Sequence, residues 1–249
     1  MICMGIDSAG RTAGVALMRD DVLLYECNLN SGLTHSQTLM CLIDDAFRAT
    51  GLTPADVDLY GVCSGPGSFT GLRIGLAAVK GLAFAKDTPC APVSTLEALA
   101  IAHNGEGTVI SALDARRREV YWAAFDLAGC RRLAPDTAGP VKQLEDFIKT
   151  CKKPLFFVGD GAALCYNEYE HVSGIVPCAP ALRMPRAAGV CLAALRMHQD
   201  GLTVPPAQLL PSYHRLSQAE RERQQSCKKE PGTLCRNLLH LLPITAVSP

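Results

Sequence analysis

One pattern occurs twice in this chain and limits its fold more than anything else. Ile2-Cys3-Met4-Gly5-Ile6-Asp7 is a run of apolar and small residues that ends on an aspartate. A polar turn follows, Ser8 to Arg11, and then a second apolar run, Thr12 to Met18. Val109-Ile110-Ser111-Ala112-Leu113-Asp114 repeats the design, turning through Arg116-Arg117-Arg118 into Val120 to Phe125. Each copy reads as strand, aspartate, turn and returning strand, with a third strand expected at Val22 to Cys27. Later in each half a buried strand enters a glycine-rich turn. Asp56 to Cys63 leads into Gly65-Pro66-Gly67, and Leu155 to Val158 leads into Gly159-Asp160-Gly161. Three- and four-residue apolar spacing predicts helices over His35–Thr50, closed by Gly51, over Thr70–Ala85 and over Ser94–His103. The whole reads as an internally duplicated α/β unit. The pattern restarts at Asn104-Gly105-Glu106-Gly107, so the expected parts are 1–104, 105–211, and a helix and tail over 212–249.

Charge and side-chain inventory exclude several functions. Lys plus Arg and Asp plus Glu both number 24. A chain that holds nucleic acid by itself normally carries a basic excess to release counterions, so RNA or DNA binding in isolation is not expected. The three arginines 116–118 read as a solvated hairpin tip. Twelve cysteines include no C-x-x-C pair and mostly sit among apolar residues, as buried small hydrophobes of a reducing compartment do. Six histidines include no pair at i, i+4, which removes helix-borne metal chemistry of the H-x-x-x-H kind. No apolar run approaches a membrane span, and the N-terminus reaches Asp7 without a basic region. A soluble cytoplasmic chain is expected.

The most informative stretch is Ser64-Gly65-Pro66-Gly67-Ser68-Phe69-Thr70-Gly71-Leu72-Arg73-Ile74-Gly75. A glycine-rich turn between strand and helix can aim backbone N–H groups at an anion. It lacks the Lys-Ser/Thr pair of a P-loop and misses G-x-G-x-x-G by one residue. The alternative is a tight turn with Ser68 or Thr70 capping the helix. Gly71, Gly75, Ala78 and Gly81 then line the helix with small residues, a surface for a closely approaching helix, either internal or on a second subunit. Asp7 and Asp114 end strands where a carboxylate could hold a hydrated Mg²⁺, or could simply form an Asx turn.

The segment SGPGSFTGLRIG, with the opening GIDSAGRTAGVAL, closely resembles the TsaB family, the dimerisation subunits of the bacterial tRNA threonylcarbamoyladenosine machinery. His35-Ser36-Gln37, Val93-Ser94-Thr95-Leu96, Ala112-Leu113-Asp114-Ala115-Arg116 and Tyr213-His214-Arg215-Leu216-Ser217 agree as well. The resemblance spans about residues 1–222. It implies an actin/hexokinase/Hsp70-like fold of two ribonuclease H-like α/β subdomains. It further implies a non-catalytic partner of the paralogous catalytic subunit TsaD, joined by the ATPase TsaE, with tRNA met only through that complex and a homodimer formed in isolation. TsaD holds its metal with a histidine pair whose places here are Thr95 and Leu99, so neither metal nor catalytic residue is expected. Asp7, Gly159, Asp160 and Gly161 would be vestigial phosphate-loop positions that leave room for weak ATP or ADP binding but no required cofactor. The implied partner surface is His35, Leu39, Leu42, Gly67, Ser68, Phe69, Thr70, Gly71, Arg73, Gly75, Ala78, Gly81 and Leu82. The rival is an ATPase or small-molecule kinase of the same fold, working through Asp7 and the 64–75 loop.

Overall fold

A computed structural model describes residues 1–215. The charged run after Arg215 and the apolar segment Leu234–Leu242 therefore lie outside the described residues. Strands β1 (Ile2–Asp7), β2 (Ala13–Arg19) and β3 (Val22–Leu29) form an antiparallel meander. Helix α1 (His35–Thr50) crosses to β4 (Leu59–Gly65), which pairs parallel to β1. Helix α2 (Phe69–Ala83) then crosses to β5 (Cys90–Ser94), parallel to β4. The resulting order is β3-β2-β1-β4-β5. After α3 (Thr95–Ile101) the plan repeats with β6 (Thr108–Asp114), β7 (Glu119–Asp126), β8 (Arg131–Pro140), α4 (Glu145–Thr150) and β9 (Leu155–Val158). Their order is β8-β7-β6-β9, the first sheet's order without its last strand. Two such sheets in one chain are the duplicated ribonuclease H-like architecture of the actin-like proteins.

Strand β1 explains why both faces of the first sheet must be covered. Met4 and Ile6 point to one side and Cys3 and Gly5 to the other, following the period of two, and all four are buried. On the Met4 side lie α1 and α2, which contribute Leu39, Ile43, Ala46, Leu76 and Val79. Gly51 ends α1 in the left-handed conformation, with φ 68°. The Cys3 side is covered by α6 (Ala187–Gln199), which comes from the far end of the chain beyond α5 (Ala162–Tyr169). Helix α6 lies almost on the backbone of the sheet. A Cβ at Gly5 would meet Ala187 O and Cys191 Sγ at 2.7 Å, and one at Gly61 would meet the Ala194 Cβ at 2.6 Å.

Helix α3 fills the space beside α6 and covers one face of the second sheet, burying Leu96 and Leu99 against Val109, Phe125 and Val158. The opposite face carries Trp122 and Phe157, packed with Ile148 of α4 and Tyr169 of α5. After α6 the chain returns to the first sheet. Val204 and Cys90 exchange backbone hydrogen bonds of 2.8 Å in both directions, Leu209 enters the core, and the Ser212 N–H donates to Ser64 O at 2.8 Å. Among the described residues ten cysteines are free thiols, and six of them are buried.

Candidate functional site

The aspartates that end β1 and β6 are both consumed by their own turns. Asp7 Oδ1 accepts the Ala9 N–H at 2.9 Å, and Asp114 Oδ1 accepts the Arg116 N–H at 2.7 Å. Each is an Asx turn, in which the carboxylate takes the donor two residues on. Asp160 closes the set by accepting the Asp114 N–H at 2.9 Å. Asp7 is 2 % exposed, and burial pushes its carboxyl above the ordinary range despite the Ala9 N–H, the Cys63 thiol and the His35 ring beside it. Burial also raises Asp160. Gly159 and Gly161 press on the end of β6, and a Cβ on Gly159 would stand 2.2 Å from Ala112 O. One amide of each turn, that of Ala9 and that of Arg116, is thus bonded to the turn's own carboxylate, and the Asp114 amide to Asp160.

The glycine loop is explained by what it touches. Ser68 caps α2 by accepting the Gly71 N–H at 3.3 Å, while its own N–H donates to Ala9 O at 2.7 Å. Ser8 Oγ donates to Gly71 O at 2.8 Å. A Cβ on Gly67 would come within 2.6 Å of Ala9 O, and one on Gly71 within 2.1 Å of Ser8 O. One on Gly75 would reach Ser8 Oγ at 2.4 Å. These glycines let α2 lie against the turn between β1 and β2. At Gly71 the ring of His35, the first residue of α1, also stands 3.1 Å from the Cβ position, so the close neighbours are the turn and the start of α1. Gly81 differs: it is exposed, with nothing within 4 Å of its Cβ position.

The other residues assigned to the partner surface divide in the same way. Leu39 is core; Leu42, Ala78 and Leu82 are half-buried against it. Ser68, Thr70 and Arg73 are exposed and His35 half-buried, its Nε2 donating to Gly10 O at 2.9 Å. Phe69 stacks on Tyr213 with ring centres 4.5 Å apart, and the Arg73 guanidinium lies 3.9 Å over the Phe69 ring while its Nε donates to Tyr213 Oη at 2.8 Å. The outer sides of α1 and α2 instead carry residues that spacing alone did not select. Met40 is 53 % exposed and Phe84, just after α2, is 82 % exposed. Their signal was available, since each is a large apolar residue off the buried stripe of its helix.

Thr95 and Leu99, the positions the family resemblance assigns to the paralogue's histidine pair, are both buried in α3. Neither supplies an imidazole, and among the described residues no group of three or more histidine, cysteine or acidic side chains is placed to hold a metal ion. No described helix is long and apolar enough to cross a membrane.

Comparison with known proteins narrows the class. A family model described as TsaD, tRNA N6-adenosine threonylcarbamoyltransferase, matches residues 31–222. Among solved structures, an activator of 2-hydroxyisocaproyl-CoA dehydratase from Clostridium difficile shares the fold at TM-score 0.51 and 12 % identity, covering 81 % of this chain and 97 % of that one. YeaZ from Pseudomonas aeruginosa superposes at TM-score 0.72 with 27 % identity, over 85 % of this chain and all of that one. The tRNA threonylcarbamoyladenosine biosynthesis protein TsaB of Bacillus subtilis is 30 % identical over 92 % of this chain and its own full length. TsaB of Escherichia coli is 35 % identical over 50 % of this chain and 55 % of its own length. Fold and turns define an actin-like duplicated α/β protein in which strands β1 and β6 each end on an aspartate that forms an Asx turn. Within that class, the chain belongs to the TsaB family.

Proposed function

We propose that this chain is a non-catalytic scaffold for threonylcarbamoylation of the tRNA adenosine next to the anticodon. It acts in the cytoplasm by pairing with a TsaD-type catalytic subunit, and the pair admits TsaE and tRNA. The observation that carries the reading is the outer side of α1 and α2. Phe84 stands exposed one helical turn beyond Gly81 and two beyond Ala77 on α2, and α1 exposes Met40, so large apolar side chains and small positions lie open to solvent. In isolation the same face would serve a homodimer. The kinase or ATPase reading is not favoured, because the TsaB relatives of this chain are tRNA threonylcarbamoyladenosine biosynthesis proteins.

The test is co-purification with a TsaD-type subunit. Gly81→Leu and Phe84→Asp are expected to abolish the pair on gel filtration while leaving the thermal melt of the isolated chain within a few degrees of wild type. An intact pair with both variants would show that the surface lies elsewhere. Calorimetry with Mg-ATP on the isolated chain addresses the rival. Micromolar affinity with turnover would favour an enzyme.

A further inference from the structure

One guanidinium on α2 is held in place yet lacks a charged partner. Arg73 is exposed, but its guanidinium lies over the Phe69 ring and its Nε donates to Tyr213 Oη. Phe69 and Tyr213 stack on each other, so the three side chains form one layered cluster at the start of α2. The segment that brings Tyr213 there is fixed as well. Its Ser212 N–H reaches Ser64 O, and a Cβ on Gly65 would stand 2.1 Å from Ser212 O. Among the described residues the terminal nitrogens of Arg73 make neither a hydrogen bond nor an ion pair.

The surroundings do not supply the missing carboxylate. From Phe69 to Lys86 the sequence holds Arg73, Lys80 and Lys86 and no acidic residue. Lys86 donates to Ala55 O, and Lys80 is half-buried. On the neighbouring helix α1, Asp44 pairs with Arg48, and Asp45 accepts the Tyr25 hydroxyl. Beyond Arg73, Ala77 and Gly81 follow at four-residue spacing and Phe84 comes one turn later, all of them exposed. An arginine stacked on aromatic rings beside open apolar surface has the composition of an interface hot spot.

We propose that Arg73 is a preformed clamp for a carboxylate of the protein that covers this face, on a segment that carries an aspartate or glutamate beside apolar side chains. The proposal rests on the scaffold reading and names the chemistry of its contact. With Nε engaged, the two terminal nitrogens remain as paired donors, which a carboxylate accepts together. Stacking on Phe69 has already restricted the side chain, so little conformational freedom is lost when the partner docks. The apolar positions beyond Arg73 favour a protein over an RNA backbone, which is held through cationic and polar groups.

The experiment titrates the TsaD-type catalytic subunit with wild type, Arg73→Ala, Arg73→Lys, Arg73→Glu and Tyr213→Phe. Arg73→Ala is expected to weaken pairing about thirtyfold and Tyr213→Phe about threefold, with most of the loss in the dissociation rate. Arg73→Lys should recover only a small part, since a point charge reproduces neither the stack nor the fork. Arg73→Glu should fail to pair and regain pairing with one Asp→Lys or Glu→Lys variant of the catalytic subunit. Thermal melts of the isolated variants within a few degrees of wild type separate these losses from misfolding. Pairing of Arg73→Ala at wild-type strength would overturn the clamp, as would full recovery with lysine. An intact pair in which tRNA binding alone falls would assign Arg73 to a phosphate and overturn it too. If wild type itself does not pair, the scaffold reading fails and the clamp falls with it; if wild type pairs and Arg73→Ala matches it, the clamp alone fails.

Discussion

Glu26 links two parts of the chain that sequence reading kept apart. Its carboxylate receives the Arg186 guanidinium and, at 2.9 Å, the Ala188 N–H in the first turn of α6, while Asn28 Oδ1 takes the Ala187 N–H. Burial raises the Glu26 carboxyl, but the Arg186 and Ala188 bonds prevail and hold it below the ordinary range. An acid held lower in the folded state binds fewer protons there than when unfolded. Its contribution is therefore complete above the unfolded pKa and is lost as the pH falls through the folded one. Glu26→Gln is expected to cost about 1 kcal/mol at neutral pH. As the pH falls below roughly 4.5 the gap between variant and wild type should begin to close in urea melts, vanishing only below the lowered folded value. A constant gap from pH 7 down to pH 3 would place the effect in packing. None of this was legible beforehand, because a cap supplied 162 residues away leaves no local signal. The strand-end aspartates were legible as alternatives, of which the Asx turn is formed at both, each carboxylate accepting an N–H of its own turn.

At the scale of elements, α2 has two sides with opposite demands. Gly71→Ala would drive a methyl into the Ser8 carbonyl, and a loss of about 2 to 4 kcal/mol is expected. Gly81→Ala meets nothing and removes a flexible residue from a helix, so a gain of about 0.5 to 1 kcal/mol is expected. Chemical denaturation of the two single variants checks both signs, and a neutral Gly71→Ala would refute the contact with the turn. Periodicity identified α1 and α2 because their apolar stripes are regular. It could not say that the small face of α2 meets a loop, since glycine spacing records closeness and not the partner. Helix-to-backbone contact is realised instead by α6, where Ala187, Cys191 and Ala194 fit over glycines of three different strands. Strand β8 escaped sequence reading for another reason. Pro135, Asp136, Gly139 and Pro140 suggest turns, yet an edge strand tolerates prolines because one side has no partner.

For the molecule as a whole, the duplication was visible in sequence as two strand–aspartate–turn units, and the matching strand orders confirm the actin-like fold. Charge arithmetic was less informative, because a neutral total does not say where the charges stand. The first sheet also depends on residues far outside its half: α6, Val204 and Leu209 complete its core. Residues 1–104 expressed alone are therefore expected to lack a cooperative thermal transition. A sharp melt with native-like near-ultraviolet dichroism would show that the first half closes without α6.

The late arrival of α6 also matters while the chain is being made. Strands β1, β2, β4 and β5 leave the ribosome about 90 residues before the helix that covers Cys3, Ala16, Cys63 and Val93. At about 5 to 20 residues per second, this nascent sheet waits on the order of 5 to 20 s with one greasy face bare. During that interval a chaperone, or the neighbouring chain on the same message, is the competitor that α6 must displace.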